Sequence, residues 1–187
     1  PPRSTLFPYT TLFRSNAGRT GAGLSSIGLD NMAFRLDVLT QTLHREVPLT
    51  RQMGVNVVGY DGDKLTATAD FGPNVNIHGT AFGGSQFSIC AVAGWAMLHL
   101  KYEEAGVQAL SVLGDASIKY FSPVKGEIRA LCHLPEDGTF EPFMKRVGNG
   151  ERAAITLITE ILSGDKVAAR FRSEERRVGK ECRSRWA

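Results

Sequence analysis

The sequence predicts an α+β fold in which an antiparallel sheet wraps around one long buried helix. Residues Gly84–Glu104 are apolar on nearly all sides as far as Leu100, so a helix here must be covered on most faces. A pair of strand patterns precedes this segment, and four more follow it. A sheet folded around a single apolar helix buries both kinds of surface, and this is the hot-dog arrangement.

A first helix is predicted between Asp30 or Asn31, either of which can cap it, and Pro48, which ends it. Its apolar residues recur at helical spacing: Leu36, Leu39, Leu43 and Val47.

A hairpin follows this helix. Val55–Tyr60 predicts a strand, Asp61-Gly62 predicts a tight turn, and Lys64–Phe71 alternates as a half-buried strand does. After the buried helix, strands are predicted at 116–121, 127–134, 153–162 and 166–171, with Ser163-Gly164-Asp165 as the last turn.

The two ends of the chain differ from its middle. When Pro1–Ser15 is written as codons, the opposite DNA strand can be translated as Arg172–Trp186 at every position. Selection on a protein gives no reason for this match, whereas a short DNA flanking an insert in inverted orientation does. We therefore interpret 1–15 and 172–187 as adapter-like artefacts, 16–31 as a flexible or upstream non-native segment, and 32–171 as the folded domain, cut short at its C-terminus. Both flanks are expected to be poorly packed.

The basic charge of the chain belongs to these flanks. Of 22 Lys+Arg and 19 Asp+Glu residues, the flanks hold 8 and 3, which leaves a net charge of −2 for residues 16–171. This balance gives no electrostatic case for a nucleic-acid partner. The longest apolar run, Phe87–Leu100, is too short to span a membrane. Cys90 and Cys132 have apolar neighbours, which favours buried free thiols in the reducing cytoplasm, and we expect neither a metal nor a cofactor.

The segment Asn74–Ser85, NVNIHGTAFGGS, connects a predicted strand with the buried helix. Its glycines, Gly79, Gly83 and Gly84, allow tight backbone turns. The first N–H groups of the helix would point outward at its positive end, which suits an anion or a developing oxyanion. The same glycines are also explained by a close contact between helix and sheet alone.

Three segments resemble the thioesterase-like domain found at the C-terminus of YiiD-type proteins, a hot-dog family related to acyl-CoA thioesterases. They are NIHGTAFGGS, AGWA and DASIKYFSPV. The resemblance covers roughly Met32 to Phe171. It implies an enzyme of fatty acid metabolism that hydrolyses acyl-CoA or acyl-carrier-protein thioesters. It also implies a homodimer or a tetramer of dimers, with acyl sites at the dimer interface.

The resemblance implies five site positions, Asn76, Gly79, Gly84, Ser85 and Asp115, and His78, Thr80, Phe82 and Gly83 are candidates from the same segment. The loop Asn76–Ser85 of one subunit would face the strand around Asp115 of the other. The predicted catalytic residues are Asn76, His78 and Asp115, and the predicted substrate-binding residues are Gly79, Thr80, Phe82, Gly83, Gly84 and Ser85.

Two departures from the family pattern bear on the chemistry. Many hot-dog thioesterases have His before the paired glycines, where this chain has Phe82, and many carry an acid on the central helix, where Ser85–Leu100 has none. Hydrolysis needs a group that activates water, and Asp115 and His78 are the nearest candidates. All three predicted catalytic residues also have a structural explanation. His78 can be a solvated loop residue, Asp115 can start a strand or cap a turn, and Asn76 can form hydrogen bonds within its own loop.

Two other functions stay open on this sequence. Decarboxylation of a malonyl thioester needs no base, only a held carboxylate and a stabilised enolate, which helix N–H groups and Asn76 could supply. The resemblance includes members linked to malonyl-carrier-protein decarboxylation. A non-catalytic acyl-binding or dimerisation module is the third hypothesis.

Overall fold

The computed structural model describes residues 24–178, with side chains from 31 to 177. The helices are α1 (Leu24–Glu46), α2 (Pro48–Gln52), α3 (Gly83–Glu104) and α4 (Phe140–Gly148), and Gly72–Asn74 forms one turn of 3-10 helix. The strands are β1 (Asn56–Tyr60), β2 (Lys64–Ala69), β3 (Leu110–Tyr120), β4 (Ile128–His133), β5 (Ala153–Ser163) and β6 (Lys166–Val178).

The six strands form one antiparallel sheet in the order β1-β2-β4-β5-β6-β3, so β1 and β3 are its edges. Helix α3 packs against β2, β3, β4, β5 and β6. This is the predicted arrangement of a sheet around one buried helix, and the predicted α3 differs from the observed one by a single residue at its start.

The core lies between α3 and the sheet. Alternate residues of β5 and β2 point toward α3, as the period of two in their sequences predicts. Small residues are common where the helix and the sheet meet, including Ala67 of β2, Ala93 of α3 and Ala130 of β4, which are all fully buried. Small residues let the helix lie close to the sheet, while larger side chains such as Leu65 and Leu157 fill the remaining space.

Several element boundaries differ from the prediction. Helix α1 begins at Leu24, so residues 24–31 of the segment 16–31, which was expected to be flexible or upstream of the native start, are helical; 16–23 lie outside the described residues. Once a helix is nucleated, adding each Ser or Gly costs less than about 1 kcal/mol, and propagation can carry it through such residues.

Strand β2 ends at Ala69 because Gly72-Pro73 turns the chain into the 3-10 helix. Strand β3 begins at Leu110, six residues earlier than predicted, and α4 was not predicted.

Strand β6 continues past Phe171, so the expectation of poor packing is wrong for the first part of the C-terminal flank. Arg172 pairs with Ser117 of β3 and with Ile158 of β5, and the ladder to β3 continues to Val178. Ser173 and Glu175 are 0% and 1% exposed. Strand pairing uses backbone N–H and C=O groups, so the ladder can continue through residues whose side chains show no strand pattern. Pro1–Ser15 and 179–187 lie outside the described residues.

Cys90 and Cys132 are free and buried, as predicted. Burial raises the pKa of both thiols, so neither is a thiolate nucleophile at neutral pH. Between residues 24 and 178, no helix has the length and apolar character needed to cross a membrane.

Candidate active site

The loop before α3 is a closed turn. Val75 and Ala81 form an isolated antiparallel bridge. Inside it, the N–H of Asn76 donates to Thr80 O at 2.8 Å, and the N–H of Gly79 donates to Asn76 O at 3.0 Å. Gly79 has φ +68°, a conformation that other residues rarely adopt, which explains the glycine at this position.

Both polar atoms of the Asn76 carboxamide form hydrogen bonds within this loop. Its Oδ1 accepts hydrogen bonds from the N–H groups of His78, at 2.9 Å, and Thr80, at 3.2 Å. Its Nδ2 donates to Thr80 Oγ1 at 3.0 Å. In this geometry Asn76 and Thr80 shape the turn, which is the structural alternative weighed for Asn76; its catalytic role stays a prediction.

Asn74, which the sequence did not single out, anchors the base of the loop. It is 1% exposed, and its Nδ2 donates to Met53 O at 2.8 Å and Asp70 O at 2.6 Å. Its carbonyl accepts from the N–H of Phe82 at 2.7 Å. One buried amide therefore fixes the position at which the chain enters α3.

The N-terminus of α3 is uncapped. Phe82 precedes it with an extended backbone, φ −64° and ψ 133°, and no side chain caps the helix. The N–H groups of the first helical residues, Gly83, Gly84 and Ser85, have no partner one turn back in the helix. They lie at the positive end of a 22-residue helix whose first turn has no acidic residue. These donors can bind an anion or stabilise a developing oxyanion.

Both glycines of this turn lie under aromatic rings. A Cβ on Gly84 would collide with the ring of Phe82, and a Cβ on Gly83 would lie 3.1 Å from Tyr120 Oη. Tyr120, at the end of β3, donates from Oη to Gly83 O at 2.7 Å. Burial raises the pKa of Tyr120, so the phenol stays protonated and keeps this hydrogen bond at neutral pH.

An open cavity of about 380 Å³ lies where the end of β3 meets this turn. It is lined by Ala81, Gly83, Gln86, Tyr120, Phe121, Ser122 and Pro123.

Gln86 is a polar residue of this wall that the sequence did not single out. It is 4% exposed, and its Nε2 donates to Ala81 O at 3.1 Å. Its Oε1 is buried and has no hydrogen-bond partner among the described residues. The signal in the sequence was an amide side chain in the first turn of a helix predicted to be buried all round.

The structure brings most of the predicted site residues together, since Asn76 to Ser85 form one loop and helix start. His78 lies exposed at the tip of the loop. Asp115 does not join them within one chain. It is exposed on the edge strand β3, beside an irregularity in the pairing after Leu113. It precedes Tyr120 by five residues, or about 16 Å of strand. Among the described residues, no cluster of His, Cys, Asp or Glu has the makings of a metal site.

Comparison with known proteins gives a family and a fold. A family model described as "Putative thioesterase (yiiD_Cterm)" matches residues 36–174. A protein of unknown function from Chlorobaculum tepidum is 29% identical with a TM-score of 0.72, and the match covers 81% of this chain and 96% of that one. A "putative thioesterase" from Shewanella oneidensis is 27% identical with a TM-score of 0.71, covering 76% and 96%. A thioesterase from Haemophilus influenzae shares the fold, with 16% identity, a TM-score of 0.60 and coverage of 77% and 90%.

Proposed function

The chain belongs to the YiiD C-terminal thioesterase family and has its hot-dog fold, and on that premise we propose that it hydrolyses acyl-CoA or acyl-carrier-protein thioesters. The observation that carries this proposal is the uncapped N-terminus of α3 beside an open cavity. A thioester lying in the cavity would direct its carbonyl oxygen at the N–H groups of Gly83, Gly84 and Ser85.

These donors stabilise the transition state more than the substrate. Negative charge on the carbonyl oxygen grows as water attacks, and fixed N–H dipoles at a helix end need no reorganisation to meet it. Neither glycine carries a side chain over its own N–H group, and a side chain at either position would meet the ring of Phe82 or Tyr120.

We propose that a second copy of the chain completes the site along β3. This edge strand presents unpaired backbone groups, and exposed apolar side chains lie along it and just beyond its end: Leu110, Val112, Leu113, Tyr120 and Phe121. Ile77 and Phe82 of the neighbouring loop are 95% and 55% exposed. An apolar sheet edge of this kind favours pairing with another strand. Asp115 lies far from the Asn76–Ser85 loop of its own chain, and in such a dimer it would approach this loop of the other subunit.

Thiol release tests the function. The whole chain is incubated with acyl-CoAs and acyl-carrier proteins of short, medium and long acyl length, and free thiol is measured with a thiol reagent. We expect release from at least one substrate. No release from any of them would overturn the proposal, and acetyl thioester with carbon dioxide but no free thiol from the malonyl form would indicate a decarboxylase instead.

A pair of matched substitutions tests the dimer. Val112 on β3 and Val58 on the opposite edge strand β1 are 46% and 51% exposed. We expect Val112→Lys to give a monomer in sedimentation and to lose thioesterase activity, because the site is then incomplete. Val58→Lys is the control and keeps both properties. A monomeric wild-type chain with full activity would contradict the shared site.

A further inference from the structure

Gln86 has hydrogen-bonding capacity that the chain itself does not use. Its Nε2 is held by Ala81 O at 3.1 Å, which orients the carboxamide and leaves Oε1 as the free acceptor. A buried acceptor without a partner destabilises a protein, so a side chain of this kind in a cavity wall indicates a donor that arrives with a ligand. The side chain belongs to the wall of the cavity that also holds Gly83 and Tyr120.

Gln86 also lies where the proposed hydrolysis needs an acceptor for the attacking water. Gln86 is in the same helical turn as the N–H groups proposed to polarise the thioester carbonyl. The helix supplies no carboxylate from Ser85 to Leu100, yet an attacking water needs an acceptor that fixes the direction of its lone pair.

We propose that Gln86 Oε1 accepts a hydrogen bond from the attacking water and directs the water oxygen at the thioester carbon. This inference rests on the proposed hydrolysis. The water oxygen forms the new C–O bond, the C–S bond breaks, and its electron pair leaves with sulfur. The proton lost by the water goes to the departing thiolate, and the product acid ionises into solvent. A neutral amide takes up no proton, so Gln86 orients the water without acting as a base.

Two substitutions separate this role from a structural one. Gln86→Met keeps the length of the side chain and removes the acceptor, and we expect it to lower kcat about tenfold to a hundredfold with little change in KM. Its thermal midpoint measures the structural cost, since losing the unpartnered oxygen stabilises the fold while losing the donor to Ala81 O destabilises it. Gln108→Met, on an exposed residue outside the cavity wall, is the matched control and should leave kcat unchanged.

Gln86→Glu supplies the sharper readout. A carboxylate keeps an acceptor at this position and can also take the proton of the water, so we expect activity at neutral pH to be retained or increased. Its kcat/KM profile should gain an acid limb, falling as the new carboxylate is protonated, which the wild-type residue cannot produce. A structural amide would give no such limb.

The outcomes for the inference and for the function are distinguishable. Thiol release by the wild type together with full kcat in Gln86→Met overturns the role of Gln86 alone. The same holds if Gln86→Glu is active with the wild-type pH profile. A wild type that releases no thiol overturns the proposed hydrolysis, and the role of Gln86 falls with it.

Discussion

Two of the places where helix α3 lies beside unpartnered buried polar atoms differ in what surrounds them. At its first turn, Gln86 lines an open cavity, and its buried Oε1 has no hydrogen-bond partner among the described residues. At its middle, Gly94 faces Ser173 and Glu175 of β6, and Glu175 Oε1 also has no hydrogen-bond partner of good geometry among the described residues. The second group lies inside the packed core, with Ser173 and Glu175 at most 1% exposed.

The difference shows that an unpartnered polar atom does not by itself indicate a functional site. Beside a cavity, a ligand can supply the missing hydrogen bond, so the atom indicates function. Within a closed core, the same deficit only costs stability. Ser173 and Glu175 belong to the stretch that is antisense to Pro1–Ser15. The interpretation of that stretch as an adapter stays a prediction; a segment never selected against this core would have no reason to turn apolar side chains inward.

The largest effect is expected at the first turn of α3, from Gly83→Pro. Proline suits the first position of a helix and removes one N–H, and the extended backbone of Phe82 is compatible with a following proline. We expect kcat for thiol release to fall roughly 10²-fold, the usual effect of removing one oxyanion donor.

Gly83→Ala is the matched control for this prediction. It adds the same Cβ, 3.1 Å from Tyr120 Oη, and keeps the N–H. Equal kcat values for the two variants would show that the N–H of Gly83 takes no part in the reaction, and the first turn of α3 would then have no demonstrated catalytic role.

The next effect is expected at the middle of α3, from Glu175→Leu. The substitution replaces a buried carboxyl, whose Oε1 has no hydrogen-bond partner among the described residues, with an apolar side chain, and we expect the free energy of unfolding to rise by about 1–3 kcal/mol. Chemical denaturation measures this change. Glu174→Leu, a half-buried neighbour whose Oε1 accepts from Arg176, is the control and should not stabilise the protein. A loss of stability in Glu175→Leu would mean that the carboxyl has a partner in solution.

The pH dependence of stability gives a smaller and more specific signal, read from Glu175→Gln. Burial raises the pKa of Glu175, so the folded protein keeps a proton that the unfolded chain releases above the ordinary glutamate pKa of about 4.3. The stability of the wild type therefore falls as pH rises from this value toward the folded pKa. We expect the thermal midpoint of Glu175→Gln minus that of the wild type to grow between acid and neutral pH. A constant difference would place the folded pKa at its ordinary value.

The same contrast explains what could be predicted from the sequence. Helix α3 was predicted almost to the residue because a long apolar run reports burial directly. Helix α4 was missed although Phe140, Phe143 and Val147 recur at helical spacing, since nine residues with an internal proline give a weak pattern.

The site was only partly predictable. The loop and glycines stand next to each other in the chain, so their proximity at the helix start follows from the sequence. The unpartnered Oε1 of Gln86 does not, because the sequence of a helix that is apolar all round does not show which side chain meets a cavity. In the proposed dimer, the distance between Asp115 and the loop is set by a second chain, so the catalytic role of Asp115 remains a prediction.

The smallest effect is expected from Gly94→Ala, and it tests whether Glu175 limits the packing of α3. Alanine favours a helix over glycine by about 1 kcal/mol. Its Cβ would lie 3.1 Å from Glu175 Oε1, closer than ordinary contact, whereas Ser173 Oγ and Leu157 Cδ1 are at 3.6 and 3.7 Å. We therefore expect almost no gain in the wild type and most of the gain in Glu175→Ala, a coupling of about 0.5–1 kcal/mol by denaturation. Gly148→Ala, where a Cβ meets nothing within 4 Å, should have the same effect in both backgrounds. If Gly94→Ala changes the free energy of unfolding equally in the wild type and in Glu175→Ala, the carboxyl of Glu175 moves aside at no cost. The middle of α3 then packs better against β6 than the unpartnered atoms of β6 indicate.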